Sequence, residues 1–132
     1  MSKQSTPRRL ADTEARAVLR GVKGSQQKAG LVMGLIRNKP VEQAMADLQF
    51  SRKKLAVDAL QLLQSAVANA ENNHDLNVDK LVVKEAFADK SMVMKRFRAR
   101  ARGRAAKIMK PRCHMTIVVG EKIDSKADTA KA

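Results

Sequence analysis

From Glu14 onward, small apolar and polar positions alternate: Ala15, Ala17 and Leu19 fall on one side, Arg16, Val18 and Arg20 on the other. That two-residue period predicts a strand with a basic outer face, ending at Gly21 to Gly24. The period then changes. Ser25 suits a helix N-cap, and Ala29, Val32, Met33 and Ile36 follow at helical spacing. Arg37, Asn38 and Lys39 close this helix, and Pro40 suits the first position of the next. There Val41, Ala44, Met45 and Leu48 repeat the spacing as far as Phe50. Ser51 is placed to cap a third helix. Its stripe of Ala56, Ala59, Leu60, Leu63, Val67 and Ala70, widened by Leu55, Leu62 and Ala66, is broad enough to meet more than one neighbour.

After the polar cluster Glu71 to Asp75 the pattern returns to strands. Residues 78–88 place Leu81, Val83 and Phe87 on one side, and residues 114–119 alternate Met115, Ile117 and Val119. The order β-α-α-α-β-β predicts an α+β fold, a small three-stranded antiparallel sheet packed against three helices. The last two strands flank a stretch at about 90–112 that reads as a long, protruding, basic β-hairpin. One domain is expected over residues 14–122, after a flexible basic N-terminus (1–13) and before a disordered tail (123–132) rich in Lys, Ala, Asp and Ser.

Charge sharpens this picture. The chain of 132 residues carries a formal net charge of +14, and residues 90–112 alone carry ten Lys or Arg and no Asp or Glu. The partner at that place is therefore polyanionic. With three Phe and no Trp or Tyr, the protein is not a reader that stacks bases on several aromatic rings. One cysteine excludes an internal disulfide and a multi-cysteine zinc site. No apolar run is long enough to span a bilayer, and the polar N-terminus is unlike a secretory signal, so a cytoplasmic protein with no membrane partner is expected.

Within the basic stretch, Arg96, Arg98, Arg100, Arg102 and Arg104 recur at every second position. In an extended strand that spacing puts all five on one face and leaves Phe97, Ala99 and Ala101 on the other. Gly103 supplies a turn, and Ala105 and Ala106 keep the ribbon thin. Same-face arginines stand about 7 Å apart along a strand. Their mutual repulsion is about 0.6 kcal/mol in bulk water, and the spacing lies inside a Debye length of about 8 Å. Such a ribbon needs an anion between its charges. A solvated, unstructured charge run is the alternative, and the strict period between two strands favours the ribbon.

Other basic residues lie at predicted strand faces, helix ends and turns, where phosphate contacts are common: Arg16, Arg20, Lys23, Lys28, Arg37, Lys39, Arg52, Lys53 and Lys54, with Ser25 beside them. Lys95, Lys107, Lys110, Arg112 and His114 extend the same surface along the hairpin. Cys113-His114 and His74-Asp75 contain catalytic residue types without the partners that a triad or a metal site requires. No glycine-rich phosphate loop is present. No enzyme, cofactor or metal is expected. Met33 and Met45 are read as core, whereas Met92, Met94 and Met109 flank the hairpin.

The hairpin run Met94-Lys95-Arg96, Arg102-Gly103-Arg104-Ala105, Ile108, Lys110 and His114 to Val119 resembles one family, the large-subunit ribosomal protein numbered twenty-two. Ser65 to Asn73 and the run Ser25, Lys28, Ala29, Leu31-Val32, Leu35-Ile36-Arg37 resemble the same family, so the likeness covers about residues 14–122. Gln26-Gln27 stand where that family often has Pro-Arg, and Gly30 and Asn38 where it commonly has arginine and glycine. The resemblance implies a structural protein that binds large-subunit ribosomal RNA, aids its assembly and touches neighbouring large-subunit proteins. It also implies a hairpin tip, Met94 to Ala106, that lines the exit tunnel beside the nascent polypeptide. No autonomous homo-oligomer is expected. The rival readings are an architectural nucleic-acid-binding protein with basic β-arms and a cationic membrane binder. The first lacks an apolar wedge at the arm tip; the second lacks bulky residues opposite the charge.

Overall fold

The alternation that begins at Glu14 folds as strand β1 (Glu14–Lys23), with Ala15 and Ala17 buried and Arg16, Val18 and Arg20 exposed. This is a computed structural model, and it describes residues 5–121; the tail expected over 123–132 lies outside the described residues. The strand does not stop at Gly21. Arg20 and Gly21 together oppose a single residue of the neighbouring strand, a bulge in which Gly21 takes a left-handed φ of 72°. Pairing then resumes, and Val22 is buried.

Helix α1 (Gln26–Ile36) starts where expected, because the Ser25 hydroxyl accepts the Lys28 backbone N–H at 3.4 Å. It buries Ala29, Val32, Met33 and Ile36. Asn38 then adopts φ 61°, a conformation that asparagine tolerates better than most residues and that suits the glycine common there in the resembled family. Helix α2 (Val41–Gln49) has Pro40 at its N-cap, one position earlier than expected. Helix α3 (Lys54–His74) buries Leu55, Ala56, Ala59, Leu62, Leu63, Ala66 and Ala70. Its N-cap is Lys53, with no side-chain cap; the Ser51 hydroxyl accepts the Lys53 N–H at 3.5 Å, so the serine folds the approach to the helix instead of capping it.

Strand β2 (Leu81–Ala99) begins three residues later than the pattern predicts. Asn77 accepts the Asp79 N–H at 3.0 Å and closes a short 3-10 turn over Val78–Lys80. Lys84 bulges out of the ladder between Val83 and Glu85. That extra residue reverses the alternation, so Ala86 is buried while Phe87 stands 38% exposed, contrary to its predicted place beside Leu81 and Val83. Strand β3 (Ala105–Glu121) is central in the antiparallel sheet, whose order is β1-β3-β2.

α3 packs against β1 and β3, and α1 against β2. The core between these layers is aliphatic, with Met33, Ile36, Leu63, Leu81, Met115 and Ile117 as its largest fully buried side chains. Met45 packs at its edge. The outer edge of β2 is covered by the α1–α2 connection: the Asn38 N–H donates to the Val83 carbonyl (2.9 Å), and the Val83 N–H to the Lys39 carbonyl (3.0 Å). Covering that edge removes a template for pairing with another chain.

Candidate nucleic-acid interface

β2 and β3 continue past the core as one ribbon. Their register runs from Leu81 opposite Glu121 to Ala99 opposite Ala105. Beyond Lys90, which pairs with Cys113, nine further residues reach Ala99, so the turn lies about 30 Å from the core edge at about 3.3 Å per residue. A short helical turn, Ala101–Gly103, reverses the chain. It is closed by the Arg100 N–H donating to the Arg104 carbonyl at 2.7 Å, with Arg102 at φ 59° and Gly103 at φ 70°.

This turn corrects the five-arginine ladder. Only Arg96 and Arg98 lie in β2, and Arg100, Arg102 and Arg104 belong to the turn and its flanks. Two-residue spacing cannot report where a strand ends, and the turn consumes what the period alone extends. Paired residues share a face. Met94, Arg96 and Arg98 therefore lie on one face with Lys110, Ile108 and Ala106. The opposite face carries Lys95, Phe97 and Ala99 with Met109, Lys107 and Ala105. It carries lysines beside the Phe97 and Ala99 that the arginine spacing places there. Cations occupy both faces and the tip, and Phe97 (79% exposed) and Met109 (51% exposed) form an apolar island between Lys95 and Lys107. Among the described residues, no carboxylate pairs with any of these cations.

The root of the hairpin is braced. Ser91 and Met92 form a bulge opposite Arg112, which also pairs with Lys23 on β1. Arg112 Nη1 donates to the Gly21 carbonyl at 2.8 Å, and the Gly21 N–H donates to His114 Nδ1 at 3.1 Å. His114 and Arg112 thus hold the β1 bulge against β3. The Gly24 N–H donates to the Pro111 carbonyl at 3.3 Å, which ties the start of α1 to the same root.

Lys23, Ser25 and Lys28 gather there with the start of α3. Gly24 lies against Leu55, and Lys28, Leu31, Val32, Lys53, Lys54 and Leu55 line a cleft of about 320 Å³. Neither α1 nor α3 has an acidic residue in its first turn. Their positive ends therefore add to the lysines instead of being neutralised by the protein. Arg52 precedes the same helix start. Lysines and arginines thus recur from this cleft through the root to the tip, with Asp89, which pairs with His114, as a carboxylate beside the root.

Two expected contacts are engaged elsewhere. Arg37 donates to the Ala86 carbonyl through Nε (3.2 Å) and Nη2 (2.6 Å), and Lys39 pairs with Asp47 at 2.6 Å. The first ties the end of α1 to the edge of β2, and the second ties the α1–α2 connection to α2. Lys84 crosses above Gly120, which has no Cβ to block it, and meets Glu14 Oε1 at 2.8 Å.

A second basic place joins Arg16, which the sequence offers as a phosphate contact, to residues that it does not single out. Arg8, Arg9 and Arg16 surround a cleft of about 700 Å³ with Pro7, Leu10, Asn69, Asn73 and His74. Arg8 Nη2 donates to the Glu14 carbonyl at 2.5 Å and lies 3.1 Å from His74 Nε2, and Asn69 donates to the Arg16 carbonyl at 3.3 Å. The paired Arg8-Arg9 and the one-turn spacing of Asn69 and Asn73 were the available signals, but nothing local joins them. Cys113 is buried, and burial, with the Asp58 carboxylate adding, pushes its thiol above the ordinary value. Among the described residues, no group of three or more His, Cys, Asp or Glu could hold a metal, and no helix is long and apolar enough to cross a membrane.

Known proteins share this sequence closely. The family described as Ribosomal protein L22p/L17e matches residues 17–120. The large ribosomal subunit protein uL22 of Maricaulis maris is 60% identical over 121 residues, covering 92% of this chain and 96% of the relative. That of Mesorhizobium japonicum is 57% identical over 130 residues, covering 98% of this chain and 100% of the relative. The helices, the sheet, the long hairpin and these likenesses agree: the chain belongs to the Ribosomal protein L22p/L17e family, structural and non-enzymatic proteins of the large ribosomal subunit.

Proposed function

We propose that this protein anchors itself in large-subunit ribosomal RNA through its hairpin and the adjoining helix starts, aids the folding of that RNA during assembly, and presents the hairpin tip to the nascent polypeptide in the exit tunnel. The observation that carries this reading is the ribbon over 90–112, paired to its end, with ten cations and no acid. Packed together in water these charges repel, and phosphates interleaved between them reverse the sign. Positive charge on both faces suits an element enclosed by RNA on several sides. Phosphate contacts of this kind position a protein without reading sequence, and RNA shape supplies the rest. Alanines at 99, 101, 105 and 106 keep the tip narrow, which suits a confined passage. Neighbouring large-subunit proteins are the remaining partners.

The register dictates the test. Replacing Arg96 through Ile108, a matched pair in the ladder, with an Asn-Gly turn leaves Lys95 opposite Met109 and the domain intact. The shortened protein is expected to fold, to leave large subunits at a lower salt concentration in sedimentation, and to slow their assembly. A photo-crosslinking residue introduced at Ala101 of the full protein is expected to label a stalled nascent chain. Salt-resistant retention of the shortened form would refute the anchor, and a crosslink to RNA alone would refute the tunnel contact.

A further inference from the structure

We infer that the cleft between the N-terminal segment and the end of α3 is a second RNA site, which captures one unpaired nucleotide. This rests on the RNA-binding reading above but uses none of the hairpin residues. The cleft opens at the outer edge of β1, where the Arg16 carbonyl accepts from Asn69 and Arg16 joins the lining, and where Asn69 and Asn73 lie one helical turn apart on α3. Its chemistry has three separate parts. Arg9 and Arg16 are cations without a carboxylate partner among the described residues, fit for a phosphate. Asn73 offers both a donor and an acceptor, which matches a base edge or a ribose hydroxyl. Arg8 differs from both. Its guanidinium is fixed by the Glu14 carbonyl, by His74 and by Asp12 at 3.5 Å, so its plane is set before any ligand arrives.

A guanidinium plane held in place, beside an amide and two free cations, is the set that single-stranded RNA recognition uses: a stacking surface, an edge reader and phosphate contacts. A regular RNA helix keeps its bases stacked inside and presents a broad surface, so it cannot place a base in a concave cleft. At about 700 Å³ the space suits one splayed nucleotide. An acidic peptide would satisfy the arginines and the amide but leave the stacking plane unused. Asp12, a carboxylate of the N-terminal segment, is already paired with Arg8.

The test uses the full-length protein and protein-free large-subunit ribosomal RNA, with base-specific chemical probing and binding measured across salt. Three variants are compared: Asn73→Ala, the double Arg9→Ala/Arg16→Ala, and the hairpin triple Arg98→Ala/Arg100→Ala/Arg102→Ala. Asn73→Ala should weaken binding about tenfold with no change in salt slope, as for loss of an edge contact. The arginine double should lower the salt slope by about 1.4 to 1.8. Both should unmask the same one or two unpaired bases, which stay protected in the hairpin triple. Unchanged affinity and protections in both cleft variants would overturn the inference. So would an effect seen only in whole subunits, which would assign the cleft to a protein partner. If the hairpin triple alone is without effect, the hairpin anchor fails while the cleft site stands.

Discussion

Replacing Arg98, Arg100 and Arg102 together with alanine removes three of the ten cations of the hairpin without touching its fold. Arg98 is the penultimate residue of β2 and pairs with Ala106 through backbone alone. The turn is closed by main-chain groups of Arg100, Ala101 and Arg104, which alanine retains. All three side chains are exposed, so domain stability should change by no more than about 0.5 kcal/mol. RNA binding should change in a specific way. Each phosphate neutralised contributes about 0.7 to 0.9 to the slope of log affinity against log salt, so the triple variant should lose about 2 to 2.7 of that slope. The defect should be large at low salt and shrink as salt rises, by a factor of about 30 between 50 and 200 mM. Filter binding or fluorescence titration at five or six salt concentrations, with thermal melts alongside, measures both quantities. An unchanged slope with an unchanged melt would refute the claim that these arginines meet phosphates.

Two further outcomes follow from the hairpin root and the core. Gly21→Ala puts a Cβ where nothing lies within 4 Å, so its cost is the left-handed φ of 72° and not a clash. That cost is about 1 kcal/mol, which at about 2.1 cal/mol/K per residue lowers the melting temperature of this domain by about 4 °C; a shift beyond 10 °C in calorimetry would mean that the bulge is packed more tightly than its open surroundings indicate. Cys113 should resist alkylation in the folded protein at pH 8 and react at once in denaturant. Because its folded thiol ionises at higher pH than the unfolded one, stability conferred by the neutral thiol is complete below the unfolded value near 9.0 and declines as pH rises above it. Cys113→Ala should remove that part of the alkaline decline in urea titrations, and an identical pH profile would contradict the assignment.

Much of the fold was legible because periodicity reports burial directly. Ala29, Val32, Met33 and Ile36 mark the inward face of α1 with no knowledge of what they face, and Ser25 marks its start. Phe87 shows the limit. The bulge at Lys84 inserts one residue into β2 and exchanges the two faces beyond it, and no local feature of the sequence announces a bulge. Ser51 shows another, since a good capping residue two positions too early yields to the helix start that places Leu55 and Ala56 in the core. The charge of the hairpin was legible and its distribution was not. Five evenly spaced arginines look like one face until the turn takes three of them.

What the sequence by itself determined is local: the helix stripes, the strand alternation, and a stretch of ten cations with no acid among them. Only the tertiary structure decided which cations are free. Arg37 and Lys39 look as available as Lys28 and Lys53 in the chain. Yet the edge of β2 needs donors and Asp47 needs a counterion, whereas two positive helix ends leave the other pair unsatisfied. The same holds for the cleft of Arg8, Arg16 and Asn73, whose members are up to 65 residues apart in number and meet because α3 lies along the edge of β1. Charge is a property of composition, but whether it is spent inside the fold or offered to a partner depends on which groups packing brings within hydrogen-bond reach.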